Sequence, residues 1–178
     1  MATNIIETIQ KSLGYQPLKK VDPNMQEIEG AKKTAAEDKL SQAAIPAVLA
    51  AMIKYSDGPE GIHLLSDENK DWLGTVYGGK ENEAVKKVAE YAGVSESDAE
   101  RHMENISDEA VKIIRDEVKT PDAEKLRSYM NSQRHNVLGH LPAAMKMGDI
   151  LNEETFDDRT NKMEGPVSGF LHRIENII

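Results

Sequence analysis

The residues from Gly74 to Lys80 have the spacing of a phosphate-binding P-loop up to its lysine. In such a loop backbone N–H groups bind phosphate oxygens, and a Ser or Thr after the lysine holds magnesium. Glu81 occupies that position here, and its negative charge would face the phosphates. The motif also needs a buried strand before it, and residues 66–71 are too polar for one. The sequence therefore favours a glycine-rich link between two helices over a nucleotide site.

Glu60 and His63 have the Glu-x-x-His spacing that places two metal ligands on one face of a helix. A di-metal carboxylate site needs two such pairs, and the chain has no second copy of this spacing. Asp98 and His102 lie one helical turn apart, and this spacing indicates a surface pair. The sequence predicts neither a metal site nor a cofactor.

Five side chains are candidates for a pocket between helices, because amphipathic rings and titratable groups line such pockets. They are Trp72, Tyr77, Tyr129, His135 and His140. The two histidines flank a glycine near a predicted helix end, where a histidine usually contacts the last carbonyl groups rather than a metal. No Gly-x-Ser-x-Gly motif is present, and no catalytic residue is predicted.

Residues 89–95 are similar to the turn of a helix-turn-helix DNA-binding motif, because Gly93 permits the turn and Ser95 caps the helix that follows. That helix would enter the DNA groove, and it carries four carboxylates, at Glu96, Asp98, Glu100 and Glu104. Carboxylates are repelled by the DNA phosphates. The pattern therefore favours a helical hairpin that uses the same turn for packing, and no nucleic-acid partner is predicted.

The composition limits the kinds of site that the chain can hold. With 178 residues and no cysteine, it has no disulfide, no zinc–thiolate site and no cysteine nucleophile. Residues 57–117 contain 16 acidic and 7 basic residues and so carry the whole net charge of −9. This acidity disfavours nucleic acids and anionic membranes, which are bound chiefly through Lys and Arg. It is typical of a solubilising surface or of an acidic docking face.

Hydrophobic patterning predicts a cytoplasmic protein without a membrane partner. Polar residues interrupt the apolar ones of residues 1–16, which is unlike a signal peptide. No apolar run approaches the roughly 20 residues that span a bilayer.

Cap residues and glycines recur where helices should begin and end, and no stretch alternates with period two. This pattern predicts an all-α fold, a compact bundle of roughly seven to nine short helices without a significant sheet. Residues 40–55 are the candidate for a central buried helix, with Pro46 in its first turn or at a kink. Another helix is predicted over 81–92. Further helices are predicted over 96–104, 108–119 and 121–138, capped by Ser95, Ser107 and Thr120.

Residues 1–22 are interpreted as an N-terminal amphipathic helix and its linker, and residues 23–178 as a single helical domain. The apolar spacing predicts that the first helix covers 3–13. Because its linker is long, this helix either swings free or docks on a partner. The sequence leaves open whether it docks on the domain itself.

The last predicted helix, 166–178, has the clearest apolar stripe, formed by Val167, Phe170, Leu171, Ile174, Ile177 and Ile178. Three interpretations stay open. The stripe completes the core of the protein, forms the seam of a symmetric dimer, or lies on a membrane surface. The polar face has one Arg and no Lys, which disfavours the membrane.

Residues 64–118 contain the short motifs Asp71-Trp72-Leu73-Gly74, Gly78-Gly79, Val88-Ala89 and Ala92-Gly93-Val94-Ser95. These motifs and the helix after them resemble the YidB-like bacterial helical proteins, which have no established activity. The resemblance implies a compact helical domain in a bacterial cell without a cofactor. It supplies no functional residues.

Three hypotheses for function follow. The first is a noncatalytic interaction or scaffold protein, which binds a protein partner or itself through the amphipathic helices at its ends. The second is a helical protein that binds a small ligand or a metal, with an enzyme as one form of it. The third, disfavoured by the acidic helix, is a helix-turn-helix-like DNA-binding regulator.

Overall fold

The computed structural model describes residues 3–21, 35–66, 71–153 and 156. These residues form eight α-helices: α1 (Ile5–Leu13), α2 (Ala36–Asp57), α3 (His63–Ser66), α4 (Trp72–Tyr77), α5 (Glu81–Ala92), α6 (Glu96–Val118), α7 (Ala123–Leu138) and α8 (Met147–Leu151). Two short 3₁₀ segments, Pro59–Ile62 and Ala143–Met145, precede α3 and α8. The described residues contain no β-sheet, so the prediction of an all-α bundle is confirmed.

Helix α2 lies at the centre of the bundle. It packs against α4, α5, α6 and α7, and every apolar side chain from Ala43 to Ile53 is fully buried. A helix that is apolar on all sides belongs in a core, because no face of it gains from water. The prediction of a central buried helix over 40–55 is confirmed. Pro46 lies well inside α2, so of its two predicted placements the first turn is wrong and the kink stays a prediction.

Helix α6 is continuous, and the prediction of two helices over 96–104 and 108–119 is wrong. Ser95 caps α6 as expected, since its hydroxyl oxygen accepts a hydrogen bond from the Asp98 N–H at 3.1 Å. Ser107 is buried inside the helix and donates to the Glu104 carbonyl at 2.8 Å. A serine that satisfies its hydroxyl within the preceding turn does not interrupt a helix.

Helix α7 begins later than the sequence indicated. Its N-cap is Asp122, whose carboxylate accepts from the N–H groups of Glu124 and Lys125 at 2.9 and 3.1 Å. The prediction that Thr120 caps this helix is therefore wrong. A carboxylate at the N-cap also interacts favourably with the positive end of the helix dipole.

Helix α1 docks on the domain. Ile5, Ile6 and Ile9 are buried in the same hydrophobic core as α2, and α1 packs mainly against α6. The Ile5 N–H donates to the side-chain oxygen of Gln133 in α7 at 3.2 Å. The described part of residues 1–22 thus contributes to the core instead of swinging free.

The predicted C-terminal helix, 166–178, and its apolar stripe lie outside the described residues. Within the described ranges, no helix is both long and apolar enough to cross a membrane.

Candidate functional site

A groove of about 500 Å³ opens where the C-terminal ends of α2, α4 and α8 meet. We call it the α2/α4/α8 groove. It is lined by Lys54, Tyr55, Gly58, Pro59, Glu60, Thr75, Val76, Tyr77, Gly78, Lys80, Ile150, Leu151 and Asn152. Its volume lies within the range of about 300–1,000 Å³ that is usual for binding pockets.

The wall next to α2 depends on a tight turn. Helix α2 ends at Asp57, and the 3₁₀ segment then folds back against the last turn of the helix. A Cβ atom built on Gly61 would lie 2.7 Å from the backbone Cα and carbonyl oxygen of Ser56. Only glycine allows this approach, which places Pro59 and Glu60 on the rim of the groove.

The second wall is the short helix α4. Asp71 caps it by accepting from the Gly74 N–H at 2.9 Å, and Gly78 ends it in the left-handed region at φ 60°. Because both ends are fixed by local chemistry, α4 presents Thr75 to the groove at a defined position.

The floor of the groove is apolar. Val76, Tyr77, Ile150 and Leu151 line it and are each at least nine-tenths buried. The Tyr77 hydroxyl donates to the Ala47 carbonyl at 2.9 Å, and burial raises the pKa of Tyr77 above its usual value. This hydroxyl therefore stays protonated at neutral pH and is engaged by the core.

The charged side chains at the rim nearly balance, because Lys54, Lys80 and Glu60 line the groove and Glu153 pairs with Lys54. The Lys54 ammonium lies 2.8 Å from Glu153, and the other carboxylate oxygen of Glu153 lies 4.0 Å from Arg134. The Lys80 ammonium donates to the Ile150 carbonyl at 3.2 Å, at the C-terminal end of α8. An apolar floor inside a charge-balanced rim favours an occupant with an apolar face over a highly charged one.

Of the five pocket candidates from the sequence, Tyr77 lines the α2/α4/α8 groove, and the other four do not. Trp72 is buried at the start of α4, with the Arg115 guanidinium of α6 at 5.6 Å from its ring. Tyr129 is buried in α7, and His135 is exposed on the same helix. His140 is buried just beyond α7.

The prediction that His140 contacts one of the last carbonyl groups of a helix is confirmed, because its Nδ1 lies 2.8 Å from the Asn136 carbonyl near the end of α7.

Asp98 and His102 do not form the predicted surface pair with each other, and each has a different partner. Asp98 binds Arg101 at 2.6 Å, and His102 Nδ1 lies 2.9 Å from the Tyr15 hydroxyl. In the described part of the chain, no three or more His, Asp or Glu side chains form a group that could hold a metal ion.

The resemblance to a P-loop does not extend to the structure. Gly74 lies inside α4, and Gly78 with Gly79 forms the link between α4 and α5. The interpretation of a glycine-rich link between two helices is confirmed for these two glycines. The Lys80 ammonium, which would bind phosphate in a P-loop, donates instead to a backbone carbonyl of α8.

The sequence did not single out Lys54, Thr75, Ile150 or Leu151 as site residues. They lie on three helices that are far apart in the chain, and each belongs to an ordinary helical pattern. No local spacing signals that they converge.

Comparisons with protein-family models, curated proteins and solved structures find no match to this chain. The resemblance to YidB-like proteins stays a prediction.

Proposed function

We propose that this chain is a noncatalytic interaction protein whose α2/α4/α8 groove receives the apolar face of an amphipathic helix from a partner protein. The observation that carries the proposal is the apolar floor of Val76, Tyr77, Ile150 and Leu151 between walls from three helices. Grooves of this kind bind helices through apolar side chains spaced i, i+3, i+4 and i+7.

The rim supports the same proposal. The Lys54–Glu153 pair is neutral, and the opposite charges of Lys80 and Glu60 balance, so the opening carries little net charge. A helix with apolar anchors and a mixed polar face fits such a rim without burying an unpaired charge. A location in a bacterial cytoplasm, which the resemblance and the hydrophobic pattern indicate, is part of this proposal.

The test is selection of helical peptides from a displayed random library against the full-length protein. We expect the selected peptides to share the i, i+3, i+4, i+7 apolar pattern and to lose binding to Thr75→Arg, because Thr75 is a half-exposed residue of the groove wall. The matched control is Ser128→Arg, an exposed position on α7 outside the groove. Peptides that bind both variants equally, or that lack the pattern, would refute the proposal.

A second candidate function is binding of a small apolar molecule. It is favoured by the volume of about 500 Å³ and by Tyr77, the one pocket candidate that lines the groove. Native mass spectrometry of gently purified protein separates the two candidates. A discrete retained mass that is lost in Thr75→Arg would support the small ligand. The bare protein mass, together with selected peptides, would support the helix.

A further inference from the structure

We propose that the α2/α4/α8 groove is occupied by residues 166–178 of the same chain, which a partner helix must displace. This inference rests on the proposed function, because it names an intramolecular competitor for the same groove. The stripe of Val167, Phe170, Leu171 and Ile174 has the helical spacing that an apolar groove receives.

The chain itself leads to the groove. Ile150, Leu151 and Asn152 line the groove, so the polypeptide passes along the opening before it continues toward residues 166–178. Glu153 follows directly and binds Lys54 of the opposite wall at 2.8 Å. Residues 150–153 are therefore held at the rim of the groove.

Phe156 fixes the next point of the chain. Its side chain is 1% exposed, and the Arg134 guanidinium lies 4.6 Å from the centre of its ring. The Phe156 N–H also donates to the Glu153 carbonyl at 3.0 Å. A buried aromatic ring under a guanidinium is a stable anchor, so the chain is fixed at Phe156, three residues after Glu153.

The length of the tether suits an intramolecular contact. Nine residues, 157–165, separate Phe156 from Pro166, and they span at most about 30 Å. Such a short tether holds the apolar stripe at an effective concentration in the millimolar range. A weak contact with the groove is then populated without any partner, and a partner must bind the groove more tightly than the tethered segment does.

The absence of natural cysteine allows this contact to be trapped by a disulfide in the full-length protein. The test variant combines Thr75→Cys on the groove wall with Leu171→Cys on the apolar stripe. The control combines Leu171→Cys with Ser128→Cys, which lies on α7 outside the groove. A disulfide forms only where two Cα atoms approach to about 4.4–6.8 Å.

We expect the test variant to form an intramolecular disulfide at least about tenfold faster than the control, since the tether concentrates Leu171 at the groove. Non-reducing mass spectrometry distinguishes a monomer with one disulfide from a covalent dimer. Equal rates in the two variants, or a covalent dimer as the main product, would overturn the inference. The fluorescence of the single Trp72 verifies that both variants are folded.

Peptide selection on the variant Phe170→Asp with Ile174→Asp separates this inference from the proposed function. If the groove is occupied by the segment, this variant binds the selected peptides more tightly than the wild-type chain does. Equal binding, together with slow trapping, leaves the proposed function standing and removes the inference. Fast trapping without any peptide binding supports the inference and removes the proposed function.

Discussion

The side chain of Gln42 forms hydrogen bonds with both the backbone N–H and the backbone carbonyl of Lys19, in the way that a residue of a neighbouring β-strand would. Its Oε1 accepts from the Lys19 N–H at 2.8 Å, and its Nε2 donates to the Lys19 carbonyl at 3.0 Å. The same Nε2 donates to the His140 carbonyl at 3.0 Å. One buried amide thus joins the N-terminal segment and the residues after α7 to the central helix α2.

Replacing Gln42 by Leu is expected to lower the free energy of unfolding by about 1–3 kcal/mol, because the buried His140 carbonyl and the partly buried N–H and carbonyl of Lys19 lose their partner. Urea unfolding at neutral pH measures the difference. The control is Gln16→Leu, an exposed position that is expected to change stability by no more than about 0.5 kcal/mol. If both variants lose the same free energy of unfolding, the hydrogen bonds of Gln42 do not stabilise the fold.

Gly61→Ala is expected to destabilise the protein by about 1–3 kcal/mol, because the added methyl group lies 2.7 Å from the backbone of Ser56. The control is Gly58→Ala in the same turn, where the nearest atom, the Tyr55 carbonyl oxygen, is 3.3 Å away. Thermal unfolding of both variants makes the comparison. If the thermal unfolding midpoint of Gly61→Ala is equal to or higher than that of Gly58→Ala, the close approach of Gly61 to Ser56 is contradicted.

Tyr77 and Tyr129 are expected to respond differently to replacement by Phe. The Tyr77 hydroxyl donates to the Ala47 carbonyl, so its loss leaves a buried acceptor and costs about 1–2 kcal/mol. The buried Tyr129 hydroxyl has no hydrogen-bond partner in the described part of the structure, so Tyr129→Phe is expected to be neutral or stabilising. Urea unfolding of the two variants side by side decides this, and the reverse order of stability would be inconsistent with these contacts.

Alkaline pH is expected to destabilise the protein through Tyr129. Burial, with the charge of Glu117, raises the pKa of Tyr129 above its usual value of 10.0. Below pH 10 the tyrosine is protonated in both states, and above it the unfolded chain releases a proton that the folded chain keeps. The free energy of unfolding therefore falls as the pH rises, by about 1.4 kcal/mol per pH unit for this residue.

The measurement for this pH dependence is urea unfolding of the wild-type chain and Tyr129→Phe from about pH 9 to about pH 11.5. The difference between the two proteins isolates Tyr129 from the lysines that titrate in the same window. Parallel curves for the two proteins would mean that the folded and unfolded states release this proton at the same pH.

The elements that the sequence predicted well are those whose signals are local. Helix α5 occupies 81–92 as predicted, because its alanines and valines form one stripe between two glycine stops. The buried core of α2 was evident from a run of apolar residues with almost no charge. Both patterns lie within a single helix, so no tertiary information is needed to read them.

The predictions were wrong or missing where contacts between helices, and not the local sequence, decide the structure. Ser107 is an acceptable cap, but Ile106 and Ala110 continue the buried stripe of α6, and packing keeps the helix unbroken. The α2/α4/α8 groove could not be predicted, because Lys54, Thr75 and Ile150 are brought together only by the packing of three helices. No periodic pattern in the sequence marks a groove that forms between the ends of helices.

The central proposal is that residues 166–178 cover the floor of the groove. Methyl NMR spectra of the full-length protein test it with Phe170→Asp plus Ile174→Asp, against the polar-face control Ser168→Asp plus Asn176→Asp. We expect the methyl resonances of Val76, Ile150 and Leu151 to shift in the first variant and to keep their wild-type positions in the control. Unchanged groove methyls in the first variant, or equal shifts in both, would contradict the account.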